Sequence, residues 1–163
     1  MSDIVQQQRT TLRPEREPWI KSVRAGGSWQ RSMTTDLTVR SFALRTDEPE
    51  SAGGTNSAPT PMEMIAAAVN GCITVVVETV AAELGISIRR IETASAAHMD
   101  VRGFRGTAEV SPHFVDYTLT VSVGTDAAPH ITEELRRLSE KRCPAVNLVR
   151  DAGVAFTLIW NFG

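Results

Sequence analysis

The chain has 163 residues, 42% hydrophobic and 22% charged, with a formal net charge of −2. That length suits one domain able to bury roughly two-thirds of its unfolded surface. The charge balance offers no basic face for nucleic acid, no apolar run reaches the roughly 20 residues that span a bilayer, and MSDIVQQQRT at the start lacks the pattern of a secretion signal.

Residues 1–17 are polar and without a period, and read as an N-terminal arm or edge segment before a single domain over 18–163. From Trp19 to Arg45 the pattern suits two or three strands, with a turn at Gly26 and Gly27 and one pleat face carrying Leu37, Val39, Ser41 and Ala43. Phe42 and Leu44 fall on the other face. Residues 47–60, rich in Gly, Pro, Ser and acids, read as a surface loop. It runs into a clear helix start: Thr60 as N-cap, Pro61 at the first helical position and Glu63 completing a capping box. The helix is expected to run to about Leu84, with Gly85 stopping it. Ile65, Val69, Cys72, Val76 and Val80 make its apolar stripe, widened by Met64, Ala66, Ala67, Ala68 and Val77, so it is expected to be buried, with Cys72 inside.

Two or three strands follow: Ile86 and Ile88 lead through Ile91 towards Val101, then Val115, Tyr117, Leu119, Val121 and Val123 alternate without a break. His130–Arg142 reads as an amphipathic helix with Ile131, Leu135 and Leu138 inward and a basic last turn. Pro144 opens a short helix to about Asp151, and Val154, Phe156, Leu158, Trp160 and Phe162 close the chain with a period of two. The order predicts an α+β fold.

The chemistry centres on the two cysteines. With no export signal, the expected compartment is a reducing cytoplasm, where cysteines are more often catalytic, metal-binding or inert than bridged. On an apolar helix stripe, Cys72 reads first as a small packed hydrophobe, and burial raises a thiol pKa. Cys143 precedes Pro144 near a helix N-terminus and follows Lys141 and Arg142, features that lower a thiol pKa; a cysteine chosen for size at a helix junction fits equally well. There is no Cys-x-x-Cys motif, and two thiols with scattered histidines make no structural zinc site. No metal or cofactor is expected.

The stretch GGTNSAPTPMEMIAAAVNGC, residues 53–72, resembles the signature of the OsmC/Ohr superfamily, in which a Gly-rich loop and a Pro open a long helix carrying the first cysteine. CPAVNLV, 143–149, resembles the family's second-cysteine motif, HMDVRGFRG, 98–106, resembles its Asp…Arg-Gly-Phe-x-Gly segment, and the terminal strand ending in Trp160 also fits. The resemblance covers about Arg45 to Trp160. It implies an OsmC-like fold, with antiparallel sheets around a long central helix, assembled as an intertwined homodimer with active sites at the subunit interface. It further implies a peroxidase for organic hydroperoxides: Cys72 attacks the peroxide, Cys143 resolves the sulfenic acid as a disulfide, and a dithiol reductant reopens it. Active members use an arginine held by a glutamate that directly follows the Pro. Here Met62 occupies that place and Glu63 follows it, a turn of about 100° around the helix, so Glu63 reads as a capping partner as well as a catalytic candidate. Arg45 is the first choice for the arginine, with Arg24 and Arg31 as alternatives. The other function considered is a scaffold holding a small apolar ligand at the dimer interface, with the cysteines as packing residues.

Overall fold

The computed structural model describes residues 18–163; the expected arm over 1–17 lies outside the described residues. The elements in chain order are β1 (Gly26–Trp29), β2 (Thr35–Val39), β3 (Phe42–Thr46), a 3-10 turn (Glu50–Ala52), α1 (Pro61–Glu83), β4 (Arg90–Met99), α2 (Val101–Arg105), β5 (Phe114–Gly124), α3 (Pro129–Arg142), α4 (Pro144–Asp151) and β6 (Ala155–Phe162). They form two three-stranded sheets, β1-β2-β3 and β4-β5-β6. The expected α+β class is therefore found. The pairings are antiparallel as expected except one, because β6 returns through α3 and α4 and lies parallel to β5.

The first sheet corrects two details. Gly26 and Gly27 lie within β1, opposite Thr38 and Leu37, and do not form a turn. The mixed alternation of 37–44 comes from a hairpin read as one strand. Its turn has Arg40 at φ +57°, and the pairing sets Leu37 opposite Leu44 and Val39 opposite Phe42. Directly opposed residues share a face, so all four apolar side chains stand together.

Between this sheet and α1, the loop is organised by a residue that composition alone did not single out. Asp47 is fully enclosed and accepts from the Thr55 hydroxyl at 2.6 Å and the Ser57 N–H at 2.9 Å. It also accepts from the Glu48 N–H at 2.8 Å, the Ser57 hydroxyl at 2.8 Å, the Thr55 N–H at 3.1 Å and the Thr34 hydroxyl at 3.2 Å. These donors, the Thr55 hydroxyl foremost, hold its carboxyl well below the usual carboxylate range. Gly54 lets the turn close, since a Cβ there would sit 1.9 Å from the Glu48 carbonyl oxygen.

Helix α1 begins and ends as its sequence dictates. Thr60 and Glu63 form the capping box, and Gly85 at φ +69° closes the other end with Ile86 N–H donating to Ala81 O at 2.8 Å. Its buried stripe is Val69, Ile73, Val77, Val80 and Ala81, packed with Tyr117, Leu119, Val121 and Val123 of β5 and Leu135 of α3. Each buried Val, Ile or Leu among them contributes about 1.5–3 kcal/mol by leaving water. By length and composition alone α1 is apolar enough to cross a membrane, contrary to the expectation from apolar runs. Its buried stripe here serves the core. The opposite side, with Ile65, Ala67, Ala68, Gly71 and Val75, is exposed in the protomer, so the expected central helix is covered on one side only.

The strand expected to run on to Val101 stops at Met99. Asp100 caps α2 by accepting from Arg102 N–H at 3.0 Å, and β4 shifts register against β5 at His98/Met99. In the C-terminal part the observed buried residues of α3 are Thr132, Leu135 and Ser139, with Ile131 and Leu138 at the margin.

Candidate functional site

The packing of α1 against α3 and α4 brings together two cysteines separated by 71 positions: the Cys143 thiol lies 3.7 Å from the Cys72 sulfur. Both are free thiols. Cys143 is simultaneously the C-cap of α3 and the N-cap of α4, and its sulfur is completely enclosed among core residues. Burial pushes its pKa up to about 11, opposed by the Val146 and Ala145 N–H groups at the start of α4. The basic neighbours Lys141 and Arg142 therefore do not decide its ionisation. The Arg142 guanidinium turns away to pair with Glu83 at the end of α1, donating from Nη2 to Oε1 at 2.9 Å.

Cys72 is half-buried, at the border between the core stripe and the open side of α1. One turn away on its own face lie the exposed Ala68 and Val75. Among the described residues its sulfur has no hydrogen-bond partner other than the Cys143 thiol.

The other two expected site residues stand elsewhere. Glu63 accepts from the Thr60 N–H at 2.7 Å, closing the capping box at the exposed start of α1. Arg45, on the exposed strand β3, donates from Nε to Asp36 at 2.7 Å, and this bond raises its pKa. Of the alternatives, Arg31 lies 5.8 Å above the Trp29 ring and Arg24 is exposed ahead of β1. The fold thus brings the two thiols together and leaves Arg45 and Glu63 on the surface. Asn70, two residues before Cys72, faces the second sheet: the Ser95 hydroxyl donates to its Oδ1 and itself accepts from the Tyr117 hydroxyl at 2.8 Å.

Three residues around the thiols went unnoticed in the sequence. Glu140 gathers Arg136, Arg150 and Trp160 on one carboxylate, and Asn147 binds the carbonyl groups at the end of α3. Ser139, one turn before Cys143, is fully buried, and its hydroxyl has no partner among the described residues. No local sequence pattern signals Glu140 or Asn147, because each links groups of more than one element, and the burial of Ser139 follows from packing.

A separate groove of about 610 Å³ opens at the start of α1, where Met62, Met99, Val101 and Phe104 supply apolar walls and Arg105 and Glu48 supply charge. Phe104 is 80% exposed. Its short helix is pressed onto the following loop, since a Cβ on Gly103 would meet the Val110 carbonyl oxygen at 2.7 Å.

A search of curated proteins finds no match in sequence. Solved structures are similar in fold. An OsmC-like protein from Mycoplasma pneumoniae superposes with a TM-score of 0.73 at 14% identity, over 88% of this chain and 96% of that one. The organic hydroperoxide resistance protein OsmC from Legionella pneumophila gives 0.62 at 17% identity, over 88% and 98%. The organic hydroperoxide resistance protein OhrB of Bacillus subtilis gives 0.57 at 19% identity, over 88% and 98%. The family profile described as OsmC-like protein matches residues 54–159, well over half of the chain and inclusive of both cysteines, and the protein belongs to that family, within the OsmC/Ohr superfamily.

Proposed function

We propose that the protein is a thiol-dependent peroxidase acting on organic hydroperoxides. The observation that carries this reading is the 3.7 Å approach of two free thiols, one enclosed and one half-buried beside an open helix face. The Cys72 thiolate attacks the peroxide: an S–O bond forms, the O–O bond breaks, and the alkoxide leaves as an alcohol after taking up a proton. Cys143 then attacks the resulting sulfenic acid. The S–S bond forms, the S–O bond breaks, and the Cys143 proton leaves with the hydroxyl as water. An external dithiol exchanges with the disulfide, returning both thiols and becoming a disulfide itself. Two similar structures carry the description organic hydroperoxide resistance protein, which fits this substrate class.

The attacking species is the Cys72 thiolate, which a nearby positive charge favours. Among the described residues no cation contacts its sulfur, and we assign that charge to a second copy of the chain, in a homodimer of the cytoplasm. Several observations support the dimer: exposed Ile65 and Val75 on α1, and exposed Trp29, Phe42 and Leu44 on the first sheet. Clustered exposed apolar side chains, such as Trp29, Phe42 and Leu44 on one sheet, mark an interaction face. Arg45 and Glu63 lie on surfaces able to face a second copy, and enter the reading in that way.

The groove at the start of α1 favours a second reading, a scaffold for a small apolar ligand. Its volume falls within the range of about 300–1,000 Å³ common to ligand sites. Peroxide consumption with a dithiol reductant separates the two. Under the peroxidase reading the wild type turns over cumene hydroperoxide faster than hydrogen peroxide, Cys72→Ser is inactive, and Cys143→Ser accumulates a sulfenic acid. Turnover undiminished in Cys72→Ser sinks the peroxidase. Ligand-dependent stabilisation of an inactive but folded wild type supports the scaffold.

A further inference from the structure

The direction of the Cys143 thiol is set by the angle between α3 and α4, because that residue alone joins them. Pro144 keeps its backbone extended, at φ −73° and ψ 111°. Two side chains lock this elbow. The Asn147 amide donates to the carbonyl oxygens of Cys143 at 2.8 Å, Glu140 at 3.0 Å and Lys141 at 3.3 Å, satisfying acceptors that the end of α3 leaves open. The Glu140 carboxylate accepts from Arg136 of α3 at 2.6 Å, from Arg150 of α4 at 2.7 Å and from the Trp160 indole N–H of β6 at 3.1 Å. Arg150 is also stacked over the Phe156 ring of β6, at 5.3 Å. The Glu140 side chain is only 18% exposed, so its charged hydrogen bonds are shielded from water in a way the exposed Glu133–Arg136 and Glu134–Arg137 pairs are not. Three elements therefore converge on one carboxylate three residues before the thiol.

We propose that Glu140 is a positioning residue for Cys143: by fixing α3 and α4 against β6 it holds the thiol within reach of Cys72 and speeds the closing of the disulfide. The proposal rests on the peroxidase reading for its biological use, while the geometry it claims is testable without peroxide. The step concerned is the attack of Cys143 on the Cys72 sulfenic acid, with the S–S bond formed, the S–O bond broken and water released. A loosened elbow leaves the sulfenic acid waiting, open to a second peroxide that carries it to the sulfinic acid.

The test uses the full-length chain with Glu140→Gln, which keeps the shape but removes the charge, and Arg150→Gln, which releases α4 alone. Glu133→Gln serves as control, since Glu133 shares Arg136 but reaches neither α4 nor β6. In a dithiothreitol redox buffer, the Cys72–Cys143 disulfide of Glu140→Gln is expected to be at least tenfold less favourable than in the wild type, about 30 mV for a two-electron couple. Arg150→Gln is expected to give a smaller loss and Glu133→Gln none. With cumene hydroperoxide, Glu140→Gln is expected to oxidise Cys72 at the wild-type rate and to yield more sulfinic acid by mass spectrometry. A redox equilibrium and a disulfide yield both within twofold of wild type in Glu140→Gln and Arg150→Gln overturn the proposal, even where melting temperatures fall. A wild type that forms the disulfide in the buffer but consumes no peroxide refutes the peroxidase reading and leaves the positioning role standing.

Discussion

Closing the Cys72–Cys143 disulfide should raise the stability of the folded chain by a calculable amount. The two cysteines are 71 positions apart. In the chain-entropy treatment a loop of that size restricts the unfolded chain by about 15 cal/mol/K, or about 4.4 kcal/mol at 25 °C. Against this stands the movement needed to bring the sulfurs from 3.7 Å to bonding distance, which costs strain in α1 or in the α3–α4 elbow. The net gain is therefore expected at about 2–4 kcal/mol, which for a chain of this length is a rise of roughly 5–15 °C in melting temperature. The assay is thermal unfolding by circular dichroism of the fully reduced and the fully oxidised protein. Mass spectrometry counts the two hydrogens lost, two protons with the two electrons taken by the oxidant, and Cys143→Ser is carried through the same oxidation as a control. An intact intramolecular disulfide with an unchanged or lower melting temperature would show that bonding distorts the native core as much as it restrains the unfolded chain. The apposition of the thiols would then be a packing contact, and the argument from proximity would fail.

The remaining predictions address ionisation, the loop and the open face. Burial is the foremost cause that raises the Cys143 pKa and it persists in Cys72→Ser, so alkylation of Cys143 in that variant is expected to be slow at pH 8 and to rise with pH, whereas fast labelling at pH 8 would contradict the enclosed site. Asp47→Asn should destabilise the protein at neutral pH, because an amide turns a donor towards groups that are themselves donors. The folded-state pKa of Asp47 is lowered, so its stabilisation is present above its unfolded value of about 3.9 and is lost as pH falls below it. Acid titrations followed by fluorescence should accordingly be flatter below pH 4 in the variant than in the wild type. Ser139→Ala removes a buried hydroxyl without a partner and is expected to leave stability unchanged or raise it by about 1 kcal/mol, read from urea unfolding; a loss above that size would reveal a hydrogen bond made in solution. Val75→Asp places a charge on the open face of α1, where Val75 is 62% exposed in the protomer, and should convert a wild-type dimer to a folded monomer in size-exclusion light scattering; a dimer that persists would locate the interface elsewhere.

Much of the fold was legible because it follows local rules. Thr60, Pro61, Glu63 and Gly85 delimit α1 by capping chemistry, and the period of two in β5 and β6 reports a sheet with one packed face. The misreadings share a cause. The β2–β3 hairpin turns at Arg40 and Ser41 without Asn or Gly, so no residue announced it, and its two strands were merged into one imperfect alternation. The end of β4 was missed because a single Asx cap at Asp100 outweighs the apolar side chain of Val101. The site was legible only in part: each cysteine could be placed on its element, but their meeting depends on how α1 packs against α3 and α4. Asp47 and Glu140 carry no local signal either: the Thr55 and Ser57 donors reach Asp47 only when the 47–57 loop folds back on itself, and Glu140 joins Arg136 to Arg150 and Trp160 only when α3, α4 and β6 pack together.

The enclosure of Cys143 also constrains the order of events that two adjacent thiols could follow. A thiol with a pKa of about 11 is almost wholly protonated at neutral pH, so Cys143 is poorly suited to open the reaction as a thiolate. It has no comparable disadvantage as the second nucleophile, because the departing hydroxyl of a sulfenic acid takes the thiol proton and leaves as water. Cys72 has the complementary setting: half-buried, bordering the open side of α1, and without a cation on its sulfur among the described residues. On the dimer reading proposed above, the activating charge arrives with the surface that covers Ile65 and Val75, so turnover depends on assembly. That dependence is measurable: with the core and both thiols intact, Val75→Asp should lose peroxide turnover in parallel with dimerisation, and full activity in a monomer would show that Cys72 needs no second copy.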